Sequence, residues 1–124
     1  MVGIDIVKIS RIAEALKKSG FVSRILTDAE KEYAYNKSGA VLQESTIAGL
    51  FAAKEAILKA LRVGITNGFG FLDIEISYEA NGAPVVKISK KLQKKLEEFS
   101  SNSVTVSISH DGEYATAIAM LMKN

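Results

Sequence analysis

The chain has no cysteine and no tryptophan, one histidine and one proline. Without cysteine there is no disulfide and no thiolate metal site. With His110 alone, a zinc centre built on several histidines cannot form within one chain. No apolar run approaches the ~20 residues that cross a bilayer. The first residues, Met1-Val2-Gly3-Ile4-Asp5, lack the basic stretch and long apolar core of a secretory signal. Nor does one sign of charge dominate: sixteen Lys and Arg stand against fourteen Asp and Glu, a net +2. That balance is too even to mark a nucleic-acid binder. These absences leave the expectation of a cytoplasmic chain with no membrane or nucleic-acid partner. The length fits one domain, residues 1–124. Any bound metal should be a hard cation held by oxygen, such as magnesium.

What is there centres on Phe51-Ala52-Ala53-Lys54-Glu55-Ala56-Ile57-Leu58-Lys59, inside a helical run from about Glu44 to Leu61. Ile47, Leu50, Phe51, Ile57, Leu58 and Leu61 are apolar at helical spacing, and alanines fill much of the rest. Such a helix is apolar nearly all round, which points to a buried central element. Yet it carries Lys54, Glu55 and Lys59. Glu55 and Lys59 are four apart and project from nearly the same face. Two readings stay open at this point. One is an ordinary surface pair worth about 0.3–0.5 kcal/mol. The other is an acidic metal ligand flanked by two phosphate-binding lysines.

The rest of the chain reads as α+β. Val2–Val7 is a short buried strand interrupted by Asp5, either a cap or edge charge or a metal ligand. Ser10 caps a helix through about Ser19, with Gly20 as its stop. This region is modestly basic, with Lys8, Arg11, Lys17, Lys18 and Arg24; it is either a solvated face or a dock for an acidic partner. Thr27-Asp28-Ala29-Glu30 is a capping box opening a helix to about Tyr35. Asn36–Gly39 is a loop. Val63–Gly70 is a second loop with three glycines that match no nucleotide fingerprint. Phe71–Tyr78 alternates as a half-buried strand with Leu72, Ile74, Ile76 and Tyr78 inward. Asn81-Gly82 turns into a partner strand, Val85–Ile88. Ser89 caps a lysine-rich helix, Lys90–Phe99. Val104–Ser109 and Tyr114–Leu121 pair across a turn at His110–Glu113. The expected architecture is an antiparallel sheet packed against a long central helix and shorter helices.

Asp5 in the first strand, with Glu55 and the lysines of the central helix, suits phosphate chemistry with magnesium. A magnesium-dependent nuclease and a non-enzymatic module that binds an acidic protein remain rival readings. Three elements carry a resemblance that spans nearly the whole chain. They are Gly3-Ile4-Asp5 with Arg11-Ile12, then Phe51-Ala52-Ala53-Lys54-Glu55-Ala56 with Lys59, and Ser107-Ile108-Ser109-His110 with Glu113-Tyr114-Ala115. In order and separation the chain resembles the 4′-phosphopantetheinyl transferase superfamily, in its short holo-acyl-carrier-protein synthase form. One departure is a start a few residues shorter before Gly3-x-Asp5, which is expected to weaken the first strand's edge.

The resemblance implies an enzyme that transfers the 4′-phosphopantetheine arm of coenzyme A to a serine of apo acyl carrier protein. The product 3′,5′-ADP leaves, and the step serves fatty acid biosynthesis and lipid metabolism in the cytoplasm. It implies Asp5 and Glu55 as magnesium ligands, and Lys54 and Lys59 as phosphate-facing and catalytic lysines. Glu55 would also help deprotonate the serine. Arg11 and Arg24 would meet the acidic carrier protein. His110 and Gly64, with the Gly64–Gly70 loop and the Asn81–Pro84 turn, would line the coenzyme A site. A homotrimer with active sites between protomers is implied as well.

Overall fold

The computed structural model describes residues 1–35, 43–64 and 68–124. Strand β1 (Val2–Lys8) leads directly into helix α1 (Ile9–Leu16), followed by α2 (Phe21–Ile25) and α3 (Asp28–Ala34). The long helix α4 (Glu44–Ala60) comes next, then a 3-10 turn at Phe71–Asp73 and strands β2 (Ile74–Tyr78) and β3 (Pro84–Ile88). Helix α5 (Lys90–Glu97) and the hairpin β4 (Ser103–Asp111) and β5 (Tyr114–Met122) complete the fold.

Helix α4 is the central element, and Ile47, Leu50, Ile57 and six small residues between Ala48 and Ala60 are fully buried on it. The antiparallel strands β1, β5 and β4 form one sheet in that order, packed across α4. Ala115, Ala117 and Ala119 of β5 face the alanines of the helix. Small residues on both surfaces let backbone approach backbone and exclude water. Strands β2 and β3 pair separately, so the single expected sheet is two.

Strand β1 pairs with β5 along all seven residues, and the Met1 carbonyl accepts a further bond from the Leu121 amide. The expected weak edge is not seen. Its faces, however, are the reverse of a buried apolar strand. Gly3 and Val7 face α4, while Val2, Ile4 and Ile6 point outward, with Ile4 63 % and Ile6 64 % exposed. The period of two puts Asp5 on the helix side with Gly3. Gly3 has no room for more than hydrogen: a Cβ there would lie 1.9 Å from the Ala56 carbonyl oxygen. Gly3→Ala is therefore expected to lift β1 from the helix and cost about 1–3 kcal/mol or more, readable as a fall in melting temperature. The same shift would carry Asp5 away from its neighbours.

Other differences are local. Helix α1 starts at Ile9, one residue ahead of the expected cap Ser10, because the Ile9 amide is satisfied by the Glu113 carbonyl at 2.7 Å. It ends at Leu16, and Gly20 (φ 82°) instead introduces α2. The Thr27 capping box and the Ser89 cap form as expected. Leu72 lies in the 3-10 turn and is exposed, so inward alternation begins at Ile74. Strand β4 runs through His110 to Asp111, and the turn narrows to Gly112-Glu113. The loop expected at Asn36–Gly39 lies outside the described residues.

Candidate active site

Asp5 reaches the site on β1 and Glu55 on α4. They line one cavity of about 370 Å³ with Arg11, Ile12 and Phe21. Glu55 is half-buried, and its carboxyl is held above the usual carboxylate range. Burial is the largest cause, Asp5's charge adds to it, and Lys59 opposes both. A carboxyl half-buried beside a second carboxylate is a site for a cation or a proton. Asp5 is already partly balanced: Lys59 Nζ donates to its Oδ1 at 2.8 Å and to the Ile4 carbonyl at 3.1 Å. Among the described residues no ion pair or hydrogen bond engages Glu55. Thr116, which opposes Ile6 across the strand pair, donates its hydroxyl to the Asp5 carbonyl at 2.9 Å and steadies this stretch of β1.

Lys59 is half-exposed and borders a second opening with Ile4, Asp5, Ile6 and Thr116. Asp5 thus stands between the Glu55 cavity and the Lys59 opening. On the other flank, Arg24 lines an apolar cavity of about 510 Å³ with Phe21, Ile25, Phe51, Gly70, Phe71 and Glu55. The two arginines therefore border the two cavities that meet at Glu55.

Lys54 stands elsewhere. Its side chain is fully buried, and its ammonium donates to Glu30 Oε1 at 2.5 Å, the Ile25 carbonyl at 2.7 Å and the Phe71 carbonyl at 3.0 Å. Burial lowers its pKa, against the hydrogen bond and charge of Glu30. An ammonium has three protons to give, and all three are given. Lys54, expected to face phosphate and take part in catalysis, is thus placed with its ammonium in the core and away from the Asp5–Glu55 cavity. Successive helical residues differ by about 100° around the axis, so Glu55 can face the cavity while Lys54 faces the core.

His110 is also apart from the carboxylates. It lines a pocket of about 230 Å³ with Tyr33, Thr46, Gly49, Tyr78, Gly82, Pro84 and Ser107. The Asn81–Pro84 turn thus reaches His110 through Gly82 and Pro84. His110 Nε2 donates to the Ser45 carbonyl at 2.9 Å, and the absence of a side chain at Gly49 lets its ring lie on α4. With Nε2 so engaged, a second donor requires the imidazolium form, in which Nδ1 also carries a proton. Tyr33 and Tyr78 stack with centroids 4.3 Å apart to make one wall, and burial pushes the Tyr78 phenol up to about 12. Gly64 lies just past α4; the next residues of its loop, 65–67, are outside the described residues.

Glu30 and the tyrosine pair are what sequence reasoning missed. Glu30 reads as an ordinary third residue of a capping box, and it does accept the Thr27 amide. Its burial and its bond from the Ile76 amide depend on contacts 24 and 46 residues away. No local pattern carries them.

The arrangement is two carboxylates, flanking cations and a separate histidine pocket, on a helix crossed by an antiparallel sheet. A family model of the 4′-phosphopantetheinyl transferase superfamily matches residues 1–119. The holo-[acyl-carrier-protein] synthase of Caldicellulosiruptor saccharolyticus is 41 % identical over 98 % of this chain and 95 % of its own. Among solved structures, that synthase from Helicobacter pylori in complex with coenzyme A superimposes with a TM-score of 0.82 at 41 % identity, over 98 % of this chain and 99 % of the other. The Bacillus anthracis synthase in complex with coenzyme A (3′,5′-ADP) gives 0.80 at 35 % identity, over 99 % and 96 %. The chain belongs to the 4′-phosphopantetheinyl transferase superfamily. Within it the chain falls among the holo-[acyl-carrier-protein] synthases, which are enzymes.

Proposed function

We propose that this chain transfers the 4′-phosphopantetheine group of coenzyme A to a serine of apo acyl carrier protein, releasing 3′,5′-ADP with the help of magnesium. The observation that carries the reading is the meeting of Asp5 and Glu55 in one cavity edged by Arg11, in a chain whose solved relatives bind coenzyme A. Magnesium is commonly held by one or two carboxylates, with water and phosphate oxygens filling its octahedron. Asp5 and Glu55 fit that need. Among the described residues no third acid or histidine joins them, as a cage made wholly of protein would require. When bound, the metal withdraws charge from the phosphate oxygens.

The chain's own groups supply the rest. Arg11 and Arg24 offer positive charge to an acidic carrier and bring its serine to the Glu55 cavity. The serine oxygen forms a bond to the β-phosphorus, and the bond from that phosphorus to the bridging oxygen breaks. That oxygen leaves with 3′,5′-ADP, its charge neutralised by Lys59. The serine proton passes to Glu55, directly or through a water. His110 binds the coenzyme A at a phosphate. His110→Ala is expected to raise KM for coenzyme A about ten- to a hundredfold with kcat little changed, the effect of losing one charged hydrogen bond of about 1.5–3 kcal/mol. Steady-state kinetics with varied coenzyme A checks this.

The separation of His110 from Asp5 and Glu55 supports an active site shared between protomers. So does the outer face of the three-stranded sheet. There Val2 opposes Met120 and Ile4 opposes Ile118, all of them exposed. Contiguous apolar surface of this kind marks an interface. The proposed assembly is a homotrimer that covers this face. Light scattering after size exclusion should give three protomers for the native chain and one for Ile118→Lys, with coenzyme A affinity lost in the monomer. A fully active native monomer would contradict the shared site.

Chromatography of the nucleotide product tests the reaction. The proposal requires 3′,5′-ADP to appear when apo carrier protein is present, and not with a carrier lacking its serine. Release without carrier would point to hydrolysis of coenzyme A instead.

A further inference from the structure

Among the described residues, Glu30 and Lys54 are the charged side chains buried in the core, and the chemistry above uses neither. Their bonds reach far. Lys54 Nζ ties the end of α2, through the Ile25 carbonyl, and the 3-10 turn, through the Phe71 carbonyl, to α4. Glu30 Oε1 binds Lys54 Nζ and the Thr27 amide, and its Oε2 binds the Ile76 amide. Four separate stretches are therefore fastened to α4 one residue before Glu55. They are the α2 end, the α3 cap, the Phe71 turn and strand β2.

Two of those stretches build the walls beside Glu55. Ile25, Gly70 and Phe71 line the apolar cavity that Glu55 edges, together with Phe21, Phe51 and Arg24. Arg24 is one residue from Ile25, whose carbonyl Lys54 grips. Phe71 packs on Phe51 with ring centroids 5.4 Å apart, and its carbonyl accepts from the Lys54 ammonium. Moving the ammonium would move both walls.

We infer that Lys54 is a positioning residue: with Glu30 it fixes the Arg24 end of α2 and the Phe71 turn around Glu55, and so sets the carrier-docking side against the reacting carboxylate. The inference rests on the transferase reading for what the cavity does. It differs from a phosphate-binding role in what it predicts. The double variant Glu30→Leu/Lys54→Met removes the pair without leaving a lone buried charge, a change that proteins often tolerate. Titration calorimetry should then give an unchanged dissociation constant for coenzyme A. Turnover with carrier protein should fall at least about tenfold, the usual cost of losing a group that orients a reacting side chain. KM for the carrier should rise as well.

A loss of coenzyme A affinity comparable to that of Lys59→Ala would overturn the inference, and so would unchanged turnover in a folded double variant. If the double variant does not fold, the native protein decides. In ¹⁵N-lysine-labelled chain, the Lys54 ammonium signal should not shift on adding coenzyme A and magnesium, while that of Lys59 should. A Lys54 shift as large as Lys59's would overturn it. Failure of the transferase reading shows separately, as native protein that binds coenzyme A but never modifies a carrier.

Discussion

Glu55→Gln will lower kcat/KM for phosphopantetheine transfer about a thousandfold and leave the fold intact. The size follows from the role. Losing one ligand to a catalytic cation removes several kcal/mol of transition-state stabilisation, and roughly 4 kcal/mol is a thousandfold in rate. The intact fold follows from burial. Glu55 has its proton affinity raised chiefly by desolvation. The folded chain thus holds the ionised carboxylate less favourably than the unfolded chain does. Folding therefore works against the charge of Glu55, and a neutral isostere relieves that cost. The melting temperature at pH 7 should stay level or rise slightly. The sign for activity is the opposite. As pH falls through the raised Glu55 range, the carboxyl protonates and ceases to bind a cation. The acid limb should thus lie above the ordinary carboxylate range at low magnesium and retreat toward it as magnesium is added. Loss of stability in Glu55→Gln without loss of turnover would mark Glu55 as a structural residue.

Glu30→Ala carries the largest expected stability effect. The change strands the Lys54 ammonium in the core, where it is wholly excluded from water. Breaking a buried pair by removing one partner costs about 3–5 kcal/mol, because the surviving charge must be neutralised or hydrated. The Ile76 and Thr27 amides lose an acceptor at the same time. For a chain of this length the cost translates into a fall of roughly 10–20 °C in melting temperature. Differential scanning calorimetry reads it directly. Replacing both partners with apolar residues should recover part of the loss, since no charge is then left alone while the Ile76 amide still lacks its acceptor. If Glu30→Ala melts within a few degrees of the native chain, the pair contributes little and water reaches Lys54.

Much of the fold is legible because its signals are local. The Thr27 and Ser89 caps, the alternation of Ile74, Ile76 and Tyr78, and the alanine-rich central run each specify an element from neighbouring residues alone. Faces and partners are less legible. Val2, Ile4 and Ile6 read as a buried strand, because apolar residues on an outward face look the same in sequence as residues in a core. The site divides along the same line. Asp5 and Glu55 meet because β1 crosses α4 where Gly3 has no side chain to hold it off. No spacing records that crossing. Lys54 differs from Lys59 only in pointing the other way around the helix, and that depends on where Glu30 comes to rest.

The most direct measurement is the intact mass of a purified apo acyl carrier protein after incubation with this chain, coenzyme A and magnesium. The account predicts a gain of one phosphopantetheine group, abolished by chelator and by Glu55→Gln and restored by magnesium in the native protein alone. No mass gain on several different carrier proteins, from folded chain at ample magnesium, would contradict it. Asp5 and Glu55 would then serve some other phosphate substrate.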